Sequence, residues 1–380
     1  MYALALLLLA IKSALVLGQA PVVVENKAAF AVLNPNGPFR NGSQTFEPNP
    51  NANLTPPYFQ VYDERFNAIL GPNPSIRVIV ENDTFAFAHD GCVWIEATDQ
   101  VFFTGGRIQG RPVSMINLND LKTSPTGLIN FTILPLSSDV QINNGATLFD
   151  NDLLLVTTGK GSLPPSLIRV HTQPPFNDTI ILNNYYGRQF NSLNDAKVHP
   201  KSRAIFFTDV TYGFENGFRP APLIPNQVYR FDPVTGEVRV VADGFSQPNG
   251  VAFSPDGNTA YIADTGETQG VTGGTVPTNP ATIYAFDVEP DTQAFSNRRV
   301  FAFADTGVPD GLALDTNGNL YVGSGDGTHI FNPQGTLLGK IFIGVSSSNM
   351  VFAGAKRLLL MADTKIYLAE IAATGQSLNL

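Results

Sequence analysis

Oxygen-bearing side chains recur at one slot along this sequence. Asp90-Gly91 precedes Val93-Trp94, Asn144-Gly145 precedes Thr147-Leu148, and Asn194-Asp195 precedes Lys197-Val198. Asn249-Gly250 then precedes Val251, Asp310-Gly311 precedes Leu312, and Asn349-Met350 precedes Val351. Carboxylate and amide oxygens are the ligands that hard cations such as Ca²⁺ take. The histidines, His89, His171, His199 and His329, are too scattered for a His-based zinc cluster. Asn-Gly and Asp-Gly are also turn dipeptides, and a repeated fold repeats its turns. Spacing alone therefore leaves two readings, a metal-holding ring and a set of turns. His89, beside Asp90, could orient that carboxylate, shuttle a proton or simply pack. Other chemistry is poorly supported. There is no Gly-x-Ser-x-Gly elbow, Walker loop or dinucleotide fingerprint. Gly323-Ser324-Gly325-Asp326-Gly327 follows a strand and opens no helix, so it reads as a turn.

The elements that must hold these residues repeat too. Short apolar runs begin at Val101, Leu153, Ala204, Ala260, Leu320 and Arg357, at spacings of 52, 51, 56, 60 and 37 residues. Each is too short for a helix and rich in β-branched or aromatic types, so each reads as a buried strand. Another short strand and a turn precede each run. Val251-Ala252-Phe253 leads into Ser254-Pro255-Asp256-Gly257-Asn258, and Leu312-Ala313-Leu314 into Asp315-Thr316-Asn317-Gly318-Asn319. Asp-Gly and Asn-Gly supply the positive φ that tight hairpins need. Two hairpins per unit of about 50 residues, six times over, predict an all-β, six-bladed β-propeller. In that fold the innermost strands line a central channel, and the six slots fall at one of its mouths. Residues 21–58 are less regular and read as an N-terminal arm, with the outer strands of a ring-closing blade following by about residue 80. No linker divides residues 21–380, so they read as one domain.

Composition narrows the setting. Of the 380 residues only 14% are charged, while Gly (34) and Pro (28) are abundant, which suits short strands and tight reversals. A net charge of −9 without a basic run argues against nucleic acid. Residues 1–20 read as a signal peptide: Ala3 to Leu17 is apolar apart from Lys12 and Ser13, and Gly18-Gln19-Ala20 offers small residues to a signal peptidase. The stretch is short for a membrane span, and no later segment has that character. Five Asn-x-Ser/Thr sequons, at Asn41, Asn53, Asn82, Asn130 and Asn177, fit a secreted glycoprotein. A single cysteine, Cys92, allows no internal disulfide and reads as a buried small hydrophobe.

Three segments carry a resemblance to the gluconolactonase/regucalcin superfamily: Phe190-Asn191-Ser192-Leu193-Asn194-Asp195, Gln247-Pro248-Asn249-Gly250-Val251 through Asp256-Gly257, and Val308-Pro309-Asp310-Gly311-Leu312. Asn183-Asn184-Tyr185-Tyr186-Gly187-Arg188-Gln189-Phe190 and Phe59-Gln60-Val61-Tyr62-Asp63 resemble the fungal lactonohydrolases within it. The likeness runs from about Phe59 to the end. It implies a six-bladed propeller with one divalent metal, usually calcium, that opens aldonate-type or pantoyl-type lactones. It further implies Asp90, Asn249 and Asp310 as metal ligands, Asp310 also as general base, and Asn194 facing water or substrate. His89, Asn144 and Tyr212 complete the candidate substrate contacts. One departure stands out: the family usually has Glu, often in His-Glu-Ala-Pro, where this chain has His89-Asp90-Gly91-Cys92. Asp is one methylene shorter, which leaves its carboxylate about 1.5 Å short unless the backbone shifts; Gly91 could allow that shift. The rival readings are a strictosidine-synthase-like propeller and a non-catalytic one that binds a small molecule.

Overall fold

The computed structural model describes residues 19–25, 31–32, 54–106, 110–270 and 273–376. Residues 1–18 of the predicted leader, and the sequons at Asn41 and Asn53, lie outside them. Six sheets, antiparallel but for one edge strand, stand around one channel, as the repeat predicted. Their inner strands are Asp90–Ile95, Asn143–Phe149, Leu193–Val198, Pro248–Phe253, Leu312–Leu314 and Asn349–Phe352, and they define blades one to six. Each inner strand pairs with a second strand: Gln100–Thr104, Asp152–Thr157, Ile205–Asp209, Thr259–Asp264, Leu320–Ser324 and Ala355–Ala362, all almost wholly buried except the exposed start of the last. Continuous apolar runs such as Val101-Phe102-Phe103 suit that position, because both faces of a blade pack on its neighbours. The outermost strands are less buried than these second strands. Phe295–Phe303, the edge of blade four, carries Asn297, Arg298 and Arg299, charges and amides that discourage edge pairing with another chain.

The ring closes in two steps, one more than the sequence indicated. Ser75–Glu81 forms the outer strand of blade six, pairing antiparallel with Lys365–Thr374. Ahead of it, Tyr58–Val61 pairs with Leu337–Phe342 of blade five, and Val22–Val24 adds in parallel beyond that. Blade five is therefore six-stranded. Between these two pairings the short helix Phe66–Leu70 buries Phe66, Ile69 and Leu70 in a cluster that also holds Tyr321 of blade five and Leu358 and Leu360 of blade six. One stretch of N-terminal chain thus staples the last two blades together. Ala20, at the predicted leader boundary, is buried and donates its N–H to the Pro74 carbonyl. Of the described sequons, Asn130 and Asn177 are exposed, and Asn82 is half-buried with its carbonyl held by Thr84.

Candidate functional site

Five slot residues begin or nearly begin their inner strands, and Asp310 stands two residues ahead of Leu312. Contacts between successive slots run once around the channel. A Cβ on Gly91 would sit 2.7 Å from the Asn144 carbonyl oxygen, one on Gly145 2.6 Å from that of Asn194, and one on Gly250 2.2 Å from that of Asp310. Thr208 Oγ1 donates to the Asn249 carbonyl at 2.8 Å. Gly311 packs on the Asn349 side chain, and Asn349 Nδ2 donates to Asp90 Oδ1 at 2.5 Å, which closes the circle. These contacts place the six slots at one end of the channel. The glycines follow from the same crowding, since a side chain there would strike a neighbouring blade's backbone.

The ring is not uniform. Asn349 is fully occupied: Nδ2 serves Asp90, while Oδ1 accepts from the Met350 N–H and from Cys92 Sγ. Asn144 is occupied too, its Oδ1 held by Arg111 Nη1 at 2.7 Å. Asn194 and Asn249, by contrast, make no side-chain hydrogen bond among the described residues, though only 3% and 6% exposed. Asn194 Oδ1 is buried without a partner. A buried amide oxygen left bare is costly, about 1–3 kcal/mol, unless something outside the chain meets it. Asp90 is half occupied. Its Oδ1 takes the Gly91 N–H at 2.8 Å together with Asn349, and no donor among the described residues meets Oδ2. Gly91 adopts φ +59°, a left-handed conformation that favours glycine. Asp310 is half-buried, its N–H bonded to the Gly323 carbonyl.

His89 stands at the rim, its Nδ1 2.7 Å from Asp363 Oδ1. Burial works against the charged ring, but Asp363, with Asp310 and Asp90 behind it, raises the His89 pKa on balance. Tyr212 is not brought into the ring. It begins the short helix Tyr212–Glu215, and its hydroxyl hydrogen-bonds Thr265, tying blade three to blade four. Tyr185 packs edge-on against Tyr229, and Tyr186 is exposed. Cys92 is buried, and burial drives its thiol pKa far up, as befits an inert small hydrophobe.

Sequence reasoning missed two participants. Asp195 repeats the local geometry of Asp90 and Asn349, accepting the next residue's N–H at 2.8 Å, and its Oδ2 takes the Val251 N–H at 3.1 Å. Burial raises its pKa to about 6, with Lys197 opposing and Asp90 adding to the rise. Adjacent Asn194 drew the eye because it matched the slot, although Asn194-Asp195 offered both. Arg111, which fixes Asn144, lies in Gly110-Arg111-Pro112 and carries no signal of its own; its φ of +51° shows only in three dimensions.

The donor set is all oxygen. Among the described residues no three His, Cys, Asp or Glu side chains come together as a metal cluster, so a cation at this mouth would depend on amide oxygens as well as carboxylates. Asp90 Oδ2 and the side-chain oxygens of Asn194 and Asn249, unengaged among the described residues, are donors of the kind a hard cation of the calcium type takes.

A six-bladed propeller with an oxygen-lined mouth is the class that fold and site define. Residues 88–364 match the model of the SMP-30/gluconolactonase/LRE-like region, and the chain belongs to that family. It is 32% identical to the lactonohydrolase oryL of Aspergillus oryzae over 325 residues, covering 80% of this chain and 71% of that one. It is 28% identical to lactonohydrolase oryH of the same organism, covering 84% and 82%. Among solved structures it is similar to XC5397 of Xanthomonas campestris, a gluconolactonase, with a TM-score of 0.66 at 26% identity, covering 83% of this chain and 95% of that one.

Proposed function

We propose that this protein is a secreted, metal-dependent lactonase that hydrolyses the ester bond of a small lactone. Family membership and the lactonohydrolase relatives support the reaction class. The observation that carries the metal is the division of the ring: two of its four amides are tied down, and the two left bare are those the family resemblance pairs with Asp310. Asp90, Asn194, Asn249 and Asp310 would hold the ion, which supplies Lewis-acid polarisation of the lactone carbonyl and balances the developing oxyanion. Asp310 accepts a proton from the attacking water as its oxygen bonds to the carbonyl carbon. The ring C–O bond then breaks, and the departing alkoxide takes up a proton to give the hydroxy acid. Asn194 orients water or substrate, and His89, steadied by Asp363, lies within reach of the rim to bind the substrate's hydroxyl groups. The apolar leader and the sequons support secretion.

The test is calcium titration by calorimetry together with a hydrolysis screen of aldonolactones, pantoyl lactone and hydrophobic lactones. Wild type should bind one ion and open at least one class of lactone. Asp310→Ala should lose about 10²–10³-fold in turnover. A wild-type protein that binds no divalent ion and opens none of these lactones overturns the proposal in favour of a binding propeller.

A further inference from the structure

Beyond the ring the channel widens into a cavity of about 320 Å³, at the small end of the roughly 300–1,000 Å³ typical of ligand sites. All six inner strands contribute to it, each through residues further along the strand than its ring member. Its walls are apolar: Trp94, Leu148, Phe253, Leu312, Met350 and Phe352. One cation faces it, Lys197, whose side chain is only 16% exposed. Lys197 Nζ lies 3.8 Å from Asp195 Oδ1, too far for a hydrogen bond, and no acceptor among the described residues comes closer. Asp195 is meanwhile served by two backbone N–H groups. The ammonium therefore keeps its hydrogen-bond donors for the cavity, where a charge-assisted hydrogen bond from a ligand can meet them. Exposed Glu96, just past the end of its inner strand and further along it than the ring, also lines the cavity and disfavours an anion there.

We propose that this part of the channel is a second binding site, separate from the oxygen ring, for a small monocarboxylate with an apolar body. The carboxylate accepts hydrogen bonds from Lys197, and the hydrocarbon lies against Trp94, Leu148, Leu312, Met350 and Phe352. Glu96, past the end of its strand, and Lys197 set its direction, carboxylate toward Lys197. The site rests on the cavity and on Lys197, not on lactone chemistry.

The chain's single tryptophan, Trp94, is in the wall and reports occupancy directly. Sodium octanoate, octan-1-ol, octylamine and sodium gluconate are titrated against tryptophan emission, with lactone turnover followed in the same samples. Octanoate should give a saturable change below about 10 mM, octan-1-ol should bind at least about tenfold more weakly, and octylamine and gluconate should give no saturable change. Lys197→Met should erase the preference for octanoate over octan-1-ol, and Lys197→Arg should keep it. If Lys197→Met does not fold, the ranking of the four probes on wild type still decides. No saturable response to octanoate, or equal affinity for octanoate and octan-1-ol, overturns the second site. Because turnover is read separately, either result leaves the reading of the ring untouched.

Discussion

The channel mouth and the outer half of blade five both bury carboxylates, and they settle the charge in opposite ways. In blade five, Asp326 is 1% exposed and brings its cation with it. Lys340 Nζ lies 2.9 Å from Asp326 Oδ2 and 2.5 Å from Asp305 Oδ2, with His329 Nε2 2.6 Å from Asp326 Oδ1. Burial alone would raise the Asp326 pKa, but the His329 hydrogen bond and the Lys340 charge hold it well below the usual carboxylate range. At the mouth, Asp90 is 4% exposed and its hydrogen-bond partners are a backbone N–H and the Asn349 amide. A resident cation makes a group permanent and chemically silent. At Asp90 the ring stops at dipoles, which on the proposed reading keeps room for a cation from solution. Asp209 of blade three shows a third way. It has backbone N–H donors from Asn191 and Ser192 and only the more distant charge of Arg219, and its pKa rises to about 7. It settles its charge by keeping a proton.

The contrast breaks most severely if blade five loses its cation. Lys340→Met leaves Asp326 buried with His329 as its remaining partner and without its permanent cation, for a loss of about 3 kcal/mol in urea unfolding. Removing the partner as well, in Lys340→Met/Asp326→Leu, should recover much of that loss, because a buried pair replaced by apolar groups is often near neutral. Calcium binding should be unchanged in both. A single variant as stable as wild type would mean that Lys340 does not compensate Asp326.

The pH dependence of Asp209 comes next. Its folded pKa, about 7, lies above its ordinary 3.8, so between these values the folded protein holds a proton that the unfolded chain gives up. Stability from this group is therefore full below about pH 4 and declines as pH rises to 7, by about 4 kcal/mol at most. Asp209→Asn cannot titrate. It should be less stable than wild type in acid, where it has lost a well-placed acceptor, and the gap should shrink as pH rises from 4 to 7. Thermal unfolding of both proteins across that range reads the difference, which removes the opposing contributions of His199 and His329. A gap that stays constant over the range would show that Asp209 is ionised throughout.

Calcium should turn the mouth into a counterpart of blade five. At a free concentration about 100-fold above Kd, a ligand that binds only the folded state adds about 2.7 kcal/mol. Wild type should gain a corresponding rise in Tm, and Asn194→Ala/Asn249→Ala should gain little. An equal rise in both would place the ion elsewhere.

How far this contrast could be read from sequence depends on how local its causes are. Six strand runs and their turns repeat within 60 residues, so the blades and the slot were legible, and a ring of slots follows from the blades. Tyr58–Val61 joins blade five through pairing with residues nearly 280 positions away, and its irregular surroundings give no period to follow. The unequal state of the ring amides was hidden for a related reason. Arg111 reaches Asn144 and Asn349 reaches Asp90 across blade boundaries, so identical letters in identical slots end up with different partners. Asp195 was masked by its neighbour, since one residue per slot was expected and blade three supplies two. Asp363, which steadies His89, enters from the last hairpin, 274 residues away.

The smallest effect concerns Asp90, where the chain departs from the glutamate usual in its family. Its Oδ1 is pinned by the Gly91 N–H and Asn349, so only Oδ2 faces an ion, from a side chain one methylene short. Calcium oxygens lie about 2.3–2.6 Å from the metal, so a carboxylate that falls about 1.5 Å short either bridges through water or draws the ion toward blade one. Both arrangements keep the charge and weaken the contact. Asp90→Glu restores the reach while Asn349 still supplies a donor, and calcium should then bind about tenfold tighter, about 1.4 kcal/mol. Gly91 must stay, since a Cβ there would lie 2.7 Å from the Asn144 carbonyl at a φ that side chains rarely adopt. Calorimetry on wild type, Asp90→Glu and Asp90→Glu/Asn349→Ala separates reach from pinning. If reach limits affinity, the first substitution tightens binding and the second adds little. If the Asn349 hydrogen bond limits it, Asp90→Glu alone changes nothing and the double variant tightens. Weaker binding in both would mean that Asp90 already meets the ion directly and that its shortness suits this ring.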